Sequence, residues 1–360
     1  MLLESLDIDD FEDFDGHEAV YRCLDSDTGL EAYIGIHNRQ LGPALGGCRI
    51  WPYANSEAAI SDVLRLSRGM TYKSALAGLP LGGGKAVIVG NPANIKTPAR
   101  LRSMGRFVES LGGRYITAED SGTTVSDLEV MAIETRHVSG ISRKNRGGLS
   151  SGDPSPVTAM GVFVGMQAAA RRRFGTDDLR GIRVAVQGVG NVGGHLVALL
   201  VDAGARVIVS DINIHRTDEL LRRFPVTVMP NDLIHRQDVE IFSPCALGGS
   251  LNCQSLDEIQ APVIAGAANN QLRDEAASMK LFRSGRLYAP DYVINAGGII
   301  DIWYEQTGYD YDKVMRHTHR IADTLEAIFD TSEQLGLPTD QIADRMAEER
   351  FQTQKLVNVA

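Results

Sequence analysis

Cysteine is scarce in this chain. Only Cys23, Cys48, Cys245 and Cys253 occur in 360 residues, in neither a disulfide-like nor a ligand-like spacing. That excludes a disulfide-stapled framework and a zinc site, and the expectation is reduced thiols in the cytoplasm. Cys245, within Ser243-Pro244-Cys245-Ala246-Leu247-Gly248-Gly249, has apolar neighbours and no histidine close behind it, so it reads as a buried thiol rather than a nucleophile. His317 and His319 stand two apart on an expected helix and face opposite sides, so no metal site is expected. No apolar run approaches the length of a membrane span. Met1–Asp7 lacks a basic region followed by an apolar core, so no secretory leader is expected there. Positive charge is in deficit: 36 Lys and Arg against 46 Asp and Glu leave a net charge of −10, which argues against nucleic acid or an anionic membrane as partner. Two basic clusters, Arg171–Arg173 at a helix end and Arg143–Arg146 in an expected loop, read as solvated surface.

What is present is an ordinary share of core-forming residues, 43% hydrophobic, in a length that suits two domains with separate cores. The first 140 residues mix short strands at 32–37, 86–89 and 115–117 with helices at 56–67 and 98–111. In the first helix Ala59, Ile60, Val63, Leu64 and Leu66 recur at helical spacing. Between 139 and 156 the composition turns to Gly, Ser, Asn, Arg and Pro without periodicity, which marks a linker. A small-residue helix at 161–170 follows. From Gly181 the alternation is regular, with strands expected at 184–187, 207–210, 240–242, 262–267 and 292–295 and closing helices at 311–330 and 340–352. The fold class is therefore α/β: an N-terminal α/β domain over 1–145 and a doubly wound Rossmann-type domain over 146–331. A C-terminal helix within 332–360 is expected to pack back on the first domain.

Residues 183–211 carry the most specific motif. An expected strand leads directly into Gly188-x-Gly190-x-x-Gly193, an apolar helix follows to about Ala203, and a second strand ends in Asp211, 18 residues past the third glycine. A glycine triplet alone is weak evidence among 37 glycines, but the complete strand–turn–helix–strand context is what a dinucleotide site requires. Gly188, Gly190, Asn191, Val192 and Gly193 would let backbone approach a pyrophosphate at the helix N-terminus. Asp211 would accept from the adenosine ribose hydroxyls and repel a 2′-phosphate, so NAD is expected over NADP.

Lys73 and Lys85 stand twelve residues apart around Gly82-Gly83-Gly84, each among small or apolar neighbours with no acid nearby in sequence. An ammonium so placed loses hydration, which favours the free amine and suits a base; one lysine could clamp a carboxylate while the other moves protons. The plainer account is a pair of lysines snorkelling to the surface. The Gly82–Lys85 run is not a phosphate loop, since Leu79 and Ala86 stand where glycine and a hydroxyl residue are needed. Asp120 lies just after an expected strand, where catalytic groups of such domains gather. The rival role of helix N-cap does not need it, because the next helix is expected to begin near Ser126-Asp127.

The runs Gly42–Arg49, Arg65–Lys73, Gly82–Ala86, Ala267–Leu272 and Asn295–Gly298 resemble the superfamily of glutamate, leucine, phenylalanine and valine dehydrogenases, and its leucine branch most, over roughly residues 15–350. The resemblance implies oxidative deamination of an L-amino acid by NAD and water, with the active site in the cleft between the two domains. It makes Lys73 the ligand of the substrate carboxylate and Lys85 the base that activates water. Asp120 exchanges protons with the amino group, and the Gly46-Gly47 backbone helps hold the developing oxyanion. Thr158 and Ala246 would meet the cofactor, with Asn269 and Asn295 near the nicotinamide ribose and Asn270 towards the substrate amine. A homo-oligomer, octameric in the leucine branch, is implied as well.

Specificity follows from the same runs. Glutamate-type members carry a lysine where this chain has Leu45, so a glutamate side chain would be buried unpaired here at a cost of several kcal/mol. Leu45, Gly46, Ala118, Ile299 and Ile302 would make an aliphatic pocket for leucine, isoleucine and valine, although core packing explains the two isoleucines equally well. Two other readings stand beside this one: an aromatic substrate such as phenylalanine with unchanged mechanism, and a non-catalytic NAD-binding sensor. The sensor reading is opposed by the presence of both Lys85 and Asp120.

Overall fold

The computed structural model describes residues 1–141, 144–146, 149–246 and 248–357, with backbone only for 144–146, 149–151 and 353–357. The chain divides into two compact units. Unit 1 comprises Met1–Gly152, Ile302–Tyr309 and Ala347–Ala360; unit 2 comprises Asp153–Asp301 and Asp310–Met346. The division differs from a simple two-part chain because the last helix changes hands. Its first half is held in unit 2 by Thr339 Oγ1 to the Tyr288 carbonyl (2.8 Å) and Tyr292 Oη to Asp344 Oδ1 (2.5 Å). Its end is held in unit 1 by Tyr72 Oη to Glu348 Oε1 (2.8 Å) and by Phe351 against the Tyr72 ring.

Unit 1 is built on six strands, β1 (Leu2–Ser5), β2 (Ala19–Asp25), β3 (Leu30–Asn38), β4 (Ala44–Trp51), β5 (Gly82–Val89) and β6 (Tyr115–Glu119). Their order is β1-β2-β3-β5-β4-β6. The first four in that order run antiparallel, whereas β4 is parallel to both β5 and β6. The helices are α1 (Ser56–Leu76), the short α2 (Pro92–Ile95), α3 (Pro98–Ser110) and α4 (Val125–Met131). A small hairpin, β7 (Lys144–Arg146) with β8 (Leu149–Ser151), stands where a basic loop was expected; Arg143 lies outside the described residues.

Strand alternation gives the sheet two faces. Ala44, Cys48, Ile50, Ala86, Ile88 and Tyr115 pack with Leu101, Met104, Phe107 and Val108 of α3. The residues between them face α1, where Val20, Tyr33 and Val87 pack with Ala59, Ile60, Val63 and Leu64. Asn55 caps α1 by accepting from the Ala58 N–H, and the helix runs through Gly69 to Leu76, nine residues past its expected end. A single mid-helix glycine costs about 1 kcal/mol, and burial of the α1 face outweighs it.

Unit 2 opens with α5 (Ser155–Phe174), ended by Gly175 in the left-handed conformation at φ 77°. Strands β9 (Arg183–Gln187), β10 (Arg206–Ser210), β11 (Thr227–Val228), β12 (Ile241–Pro244), β13 (Val263–Ile264) and β14 (Leu287–Tyr288) form a fully parallel sheet in the order β11-β10-β9-β12-β13-β14. Numbered along the unit, that order is 3-2-1-4-5-6, the doubly wound dinucleotide-binding arrangement with its switch point between β9 and β12. Helices α6 (Asn191–Asp202), α7 (Ile214–Arg223), α8 (Cys253–Glu258), α9 (Glu275–Arg283), α10 (Asp291–Ile294), α11 (Gly297–Thr307), α12 (Tyr311–Leu335) and α13 (Thr339–Val357) complete the chain. One expected element is wrong: 292–295 is not a strand but the short α10. Pro290 presets the first turn, and the sixth strand is the two-residue β14 before it. No helix among the described residues is long and apolar enough to cross a membrane.

Candidate active site

In unit 1 the chemistry-bearing residues converge on the α1 face of the sheet. Lys73 lies in the last turn of α1, half-buried. Lys85 is inside β5 with only 6% of its surface exposed, and Asp120 follows the last residue of β6. Leu45 and Gly47 of β4 and Ala118 of β6 share this face by register, Gly47 lying opposite Ala118. Glycine is what allows the approach. A Cβ on Gly83 would fall 2.1 Å from the Thr71 backbone nitrogen on α1, and one on Gly47 would fall 2.6 Å from the Asp120 Cβ. The Gly82–Gly84 run is therefore a strand pressed against the helix that carries Lys73. Tyr115, fully buried, donates to the Gly46 carbonyl at 2.7 Å and fixes β4 from the opposite face.

Although no acid stands near Lys85 in sequence, the fold brings one to it. Its Nζ forms an ion pair with Asp120 Oδ2 at 2.7 Å. Burial pushes the Asp120 carboxyl up, but the Lys85 ammonium and the Arg49 guanidinium outweigh it and hold the group below the usual carboxylate range. Arg49 Nε donates to the same Oδ2 at 3.1 Å, a contact that no short-range sequence signal announces. Capping plays no part at Asp120, since Thr124 caps α4 in a reciprocal box with Asp127. Ile302 lies in unit 1, 4.0 Å from where a Gly140 Cβ would stand.

Unit 2 assembles the other residues at the carboxyl ends of β9, β12 and β13. Gly188 takes φ 92°, and a Cβ there would strike the Ala246 backbone at 2.9 Å. A Cβ on Gly193 would strike the Gly188 carbonyl oxygen, so α6 can pack this closely on the β9 turn only without a side chain. Gly190 caps α6 without any side-chain hydrogen bond. Its absent Cβ would have only Arg216 Nη1 near it, at 3.3 Å. Asp211, at the end of β10, accepts from the N–H groups of Val189 and Asn213 at 2.8 Å each, with Arg216 Nη1 3.9 Å away.

Asn295 donates from Nδ2 to the Ala267 carbonyl (3.1 Å) and Asn269 Oδ1 (2.8 Å), and its own Oδ1 is buried without a partner. Asn270 takes φ 51°, the one positive-φ non-glycine residue among those described. Thr158 sits in the first turns of α5 against Gly298, whose Cβ would stand 2.7 Å from the Thr158 Oγ1. Ile299, buried on α11, belongs to this unit, so the two isoleucines of the expected pocket fall in different units. Cys245 is half-buried, and burial raises its thiol above the ordinary range, which suits packing rather than nucleophilic attack.

These residues fit a nicotinamide dinucleotide. Gly188 and Gly190 leave a side-chain-free cradle, the first N–H groups of α6 lack a side-chain cap, Asp211 ends the second strand, and Asn295 offers an orphaned buried acceptor. No cluster of three potential metal ligands occurs among the described residues.

Comparison with known proteins identifies the family. Residues 17–137 match the family described as Glu/Leu/Phe/Val dehydrogenase, dimerisation domain, and residues 147–215 and 212–335 match Glutamate/Leucine/Phenylalanine/Valine dehydrogenase. The chain is 49% identical to an L-tryptophan dehydrogenase of Nostoc punctiforme, covering 94% of this chain and 95% of that one. It is 49% identical to a leucine dehydrogenase of Geobacillus stearothermophilus (94% and 92% covered) and 47% identical to a valine dehydrogenase of Streptomyces virginiae (93% and 94% covered). The crystal structure of the Nostoc punctiforme L-tryptophan dehydrogenase aligns with a TM-score of 0.81 at 46% identity, covering 94% of this chain and 97% of that one. The chain belongs to the Glu/Leu/Phe/Val dehydrogenase family and is an amino-acid dehydrogenase, an NAD(P)-dependent oxidoreductase acting on the CH–NH2 group of its donor.

Proposed function

We propose that this protein catalyses the reversible, NAD-dependent oxidative deamination of branched-chain aliphatic L-amino acids, with leucine the best substrate. One amino acid, NAD+ and water give a 2-oxo acid, ammonium, NADH and a proton. The observation that carries the substrate reading is the uncharged aliphatic wall of Leu45 and Ala118 on the sheet face shared with Lys85 and Asp120. A glutamate side chain against that wall would find leucine rather than a cation at position 45, and its carboxylate would be buried there unpaired.

Lys73 binds the substrate carboxylate as a point charge. Asp120 Oδ2 takes a proton from the amino group, and bound NAD supplies the hydride acceptor for the substrate Cα–H. Lys85 gives up its own proton to solvent, the proton released in the net reaction, and the free amine then removes a proton from the water that attacks the imine carbon. The 2.7 Å separation of Lys85 Nζ and Asp120 Oδ2 lets a proton pass between them, so the pair works as one exchanging unit. Asp120 finally returns its proton to the amino nitrogen; the C–N bond breaks, and the departing ammonia takes the carbinolamine hydroxyl proton, leaving as ammonium beside the 2-oxo acid. Gly46 and Gly47 bring the β4 backbone to the reacting carbon, with Asn270 on the amine side. Gly188, Gly190, Asn191, Val192 and Gly193 hold the pyrophosphate, Thr158, Ala246, Asn269 and Asn295 the nicotinamide end, and Asp211 the adenosine ribose. The preference for NAD over NADP rests on the carboxylate of Asp211, which repels a 2′-phosphate. Ile299 and Ile302 are assigned to the substrate side chain on the family resemblance. The enzyme works in the cytoplasm as a homo-oligomer, octameric in our reading; four free thiols and the match of residues 17–137 to a dimerisation-domain family support this.

An aromatic substrate is the second reading, favoured by the likeness to the tryptophan enzyme. Initial rates of NAD reduction at alkaline pH with leucine, isoleucine, valine, phenylalanine, tryptophan and glutamate, each repeated with NADP, distinguish them. Turnover led by leucine with NAD is expected, with valine within about 10–200-fold because one methylene is worth ~1–3 kcal/mol, and isoleucine, the isomer branched one carbon nearer the backbone, within the same range. An aromatic substrate in the lead would overturn the pocket, and a preference for NADP the role of Asp211. Folded protein that binds NADH and turns over none of these would favour the sensor.

A further inference from the structure

Arg49 has no part in the steps above, yet it touches the residue at their centre. It follows Gly46-Gly47-Cys48 on β4, on the same face as Leu45 and Gly47. Its Nε donates to Asp120 Oδ2 at 3.1 Å, the oxygen that Lys85 Nζ reaches at 2.7 Å. Its Nη1 donates to Asp62 Oδ2 on α1 at 3.0 Å, and the Tyr53 hydroxyl donates to that same oxygen at 2.5 Å. The guanidinium is planar, so gripping one edge through Asp62 and Tyr53 sets the direction of the Nε–H that meets Asp120. The Asp120 backbone is fixed separately: its N–H donates to Thr123 Oγ1 at 3.0 Å, and that hydroxyl lies 2.8 Å from the Cys48 carbonyl.

We infer that Arg49, locked by Asp62 and Tyr53, is the positioning residue that keeps Asp120 a carboxylate and aims its Oδ2 at Lys85. This rests on the proposed roles of Lys85 and Asp120. The groups facing Asp120 divide cleanly. Lys85 from β5 and Arg49 from β4 are cations, and Asp62 lies beyond Arg49. Cys48 and Tyr115 stay neutral, because burial pushes the thiol up to about 12 and the phenol well above its ordinary value. Asp127 on α4 is paired with Lys96 at 2.7 Å, and Glu119 points away at the exposed end of β6. Arg49 is therefore the second of the two cations that hold the carboxyl ionised against burial. Without it the Asp120 carboxyl keeps its proton to higher pH.

The test is the pH dependence of kcat/KM for the best amino acid in the wild type, Arg49→Gln, Arg49→Lys and Asp62→Asn, with NADH affinity as the folding control. Arg49→Gln is expected to move the acid limb up by about one pH unit and to lower kcat by about 10- to 100-fold, with NADH affinity unchanged. Arg49→Lys should restore the limb but not the full rate, since the charge returns without the fork. Asp62→Asn should move the limb by a fraction of the Arg49→Gln shift. A lowered plateau with an unmoved acid limb in Arg49→Gln would mean a purely structural residue and overturn the inference. If Arg49→Gln fails to bind NADH, Asp62→Asn decides: a shifted limb supports the inference, an unmoved one overturns it. A wild type that oxidises no amino acid removes the proposed function, and this inference with it, and is recognised by the absence of any profile.

Discussion

Replacing Gly83 by alanine tests whether helix–strand contact sets the geometry of the two lysines. The added methyl would lie 2.1 Å from the Thr71 nitrogen, 2.2 Å from the Thr71 Oγ1 and 2.5 Å from the Ser67 carbonyl oxygen, all on α1. Ordinary contact begins near 3.4 Å, so α1 must retreat from β5 by more than an ångström. Two of those atoms are backbone, and no rotamer change can relieve them. Overpacking of this kind costs roughly 1–3 kcal/mol. At about 2–4 °C per kcal/mol for a unit of this size, the Tm should fall by roughly 2–12 °C.

The functional consequence is larger. Lys73 is two residues beyond Thr71 on the retreating helix, while Lys85 stays on the strand two residues beyond Gly83. A misplacement of about 1 Å costs on the order of 10²-fold in rate. The assay pairs kcat/KM for the amino acid with NADH affinity by fluorescence titration, which should be unchanged because the dinucleotide residues lie in unit 2. Gly69→Ala is the control on the same helix: a Cβ there meets nothing within 4 Å. It should stabilise by about 0.5–1 kcal/mol and leave turnover intact. Wild-type kcat/KM in Gly83→Ala, or equal damage from Gly69→Ala, would refute the reasoning.

Two further outcomes are expected. His37 is buried with Nδ1 2.8 Å from Thr71 Oγ1 and Nε2 3.0 Å from the Asp15 carbonyl, and burial pushes its pKa down to about 4. A folded-state pKa below the unfolded value of 6.5 contributes stability fully above pH 6.5 that is lost as pH falls towards 4, up to roughly 3 kcal/mol. Urea unfolding across that window should show the loss in the wild type and a flatter curve in His37→Gln; parallel curves would refute it. Arg350 Nη1 donates to the carbonyls of Ala75 and Leu76, 2.9 Å each, satisfying the open end of α1 just beyond Lys73. Arg350→Ala should cost about 1–2 kcal/mol and raise KM for the amino acid several-fold with a smaller change in kcat; an unchanged KM would detach the C-terminal helix from substrate binding.

Legibility in the sequence followed the reach of each signal. The Gly188–Asp211 unit is contiguous, so strand, turn, helix and acid could be read together and lie where the pattern puts them. The expected strand covers only 86–89, since glycine has poor β propensity; closeness to α1, invisible in sequence, makes the Gly82–Gly84 run part of the first half of β5. Helix α1 was cut short for the same reason at Gly69. The apolar triplet Tyr292-Val293-Ile294 suits a buried strand or a short helix equally, and only the turn after Pro290 decides. Arg49, Lys85 and Asp120 are each more than thirty residues from the next, so no local pattern could report that they share one oxygen.

The arrangement of unit 1 also explains how a charged site persists in a buried place. Of two adjacent positions on β5, Ala86 faces the α3 core while Lys85 faces α1. An ammonium 6% exposed on that face would cost several kcal/mol alone. Asp120 offsets it, Arg49 offsets the burial of Asp120, and Asp62 with Tyr53 anchors Arg49 at the wetter edge of the network, where the Arg49 and Asp62 side chains are 23% and 25% exposed. The charges thus alternate from the buried end outward, each satisfied by the next. Removing one inner member leaves its neighbour buried and unpaired, which costs more than the pair itself contributes. The residues proposed for catalysis are for that reason also the residues that stabilise one another, and a variant that loses Asp120 should be judged by its folding before its rate is read as chemistry.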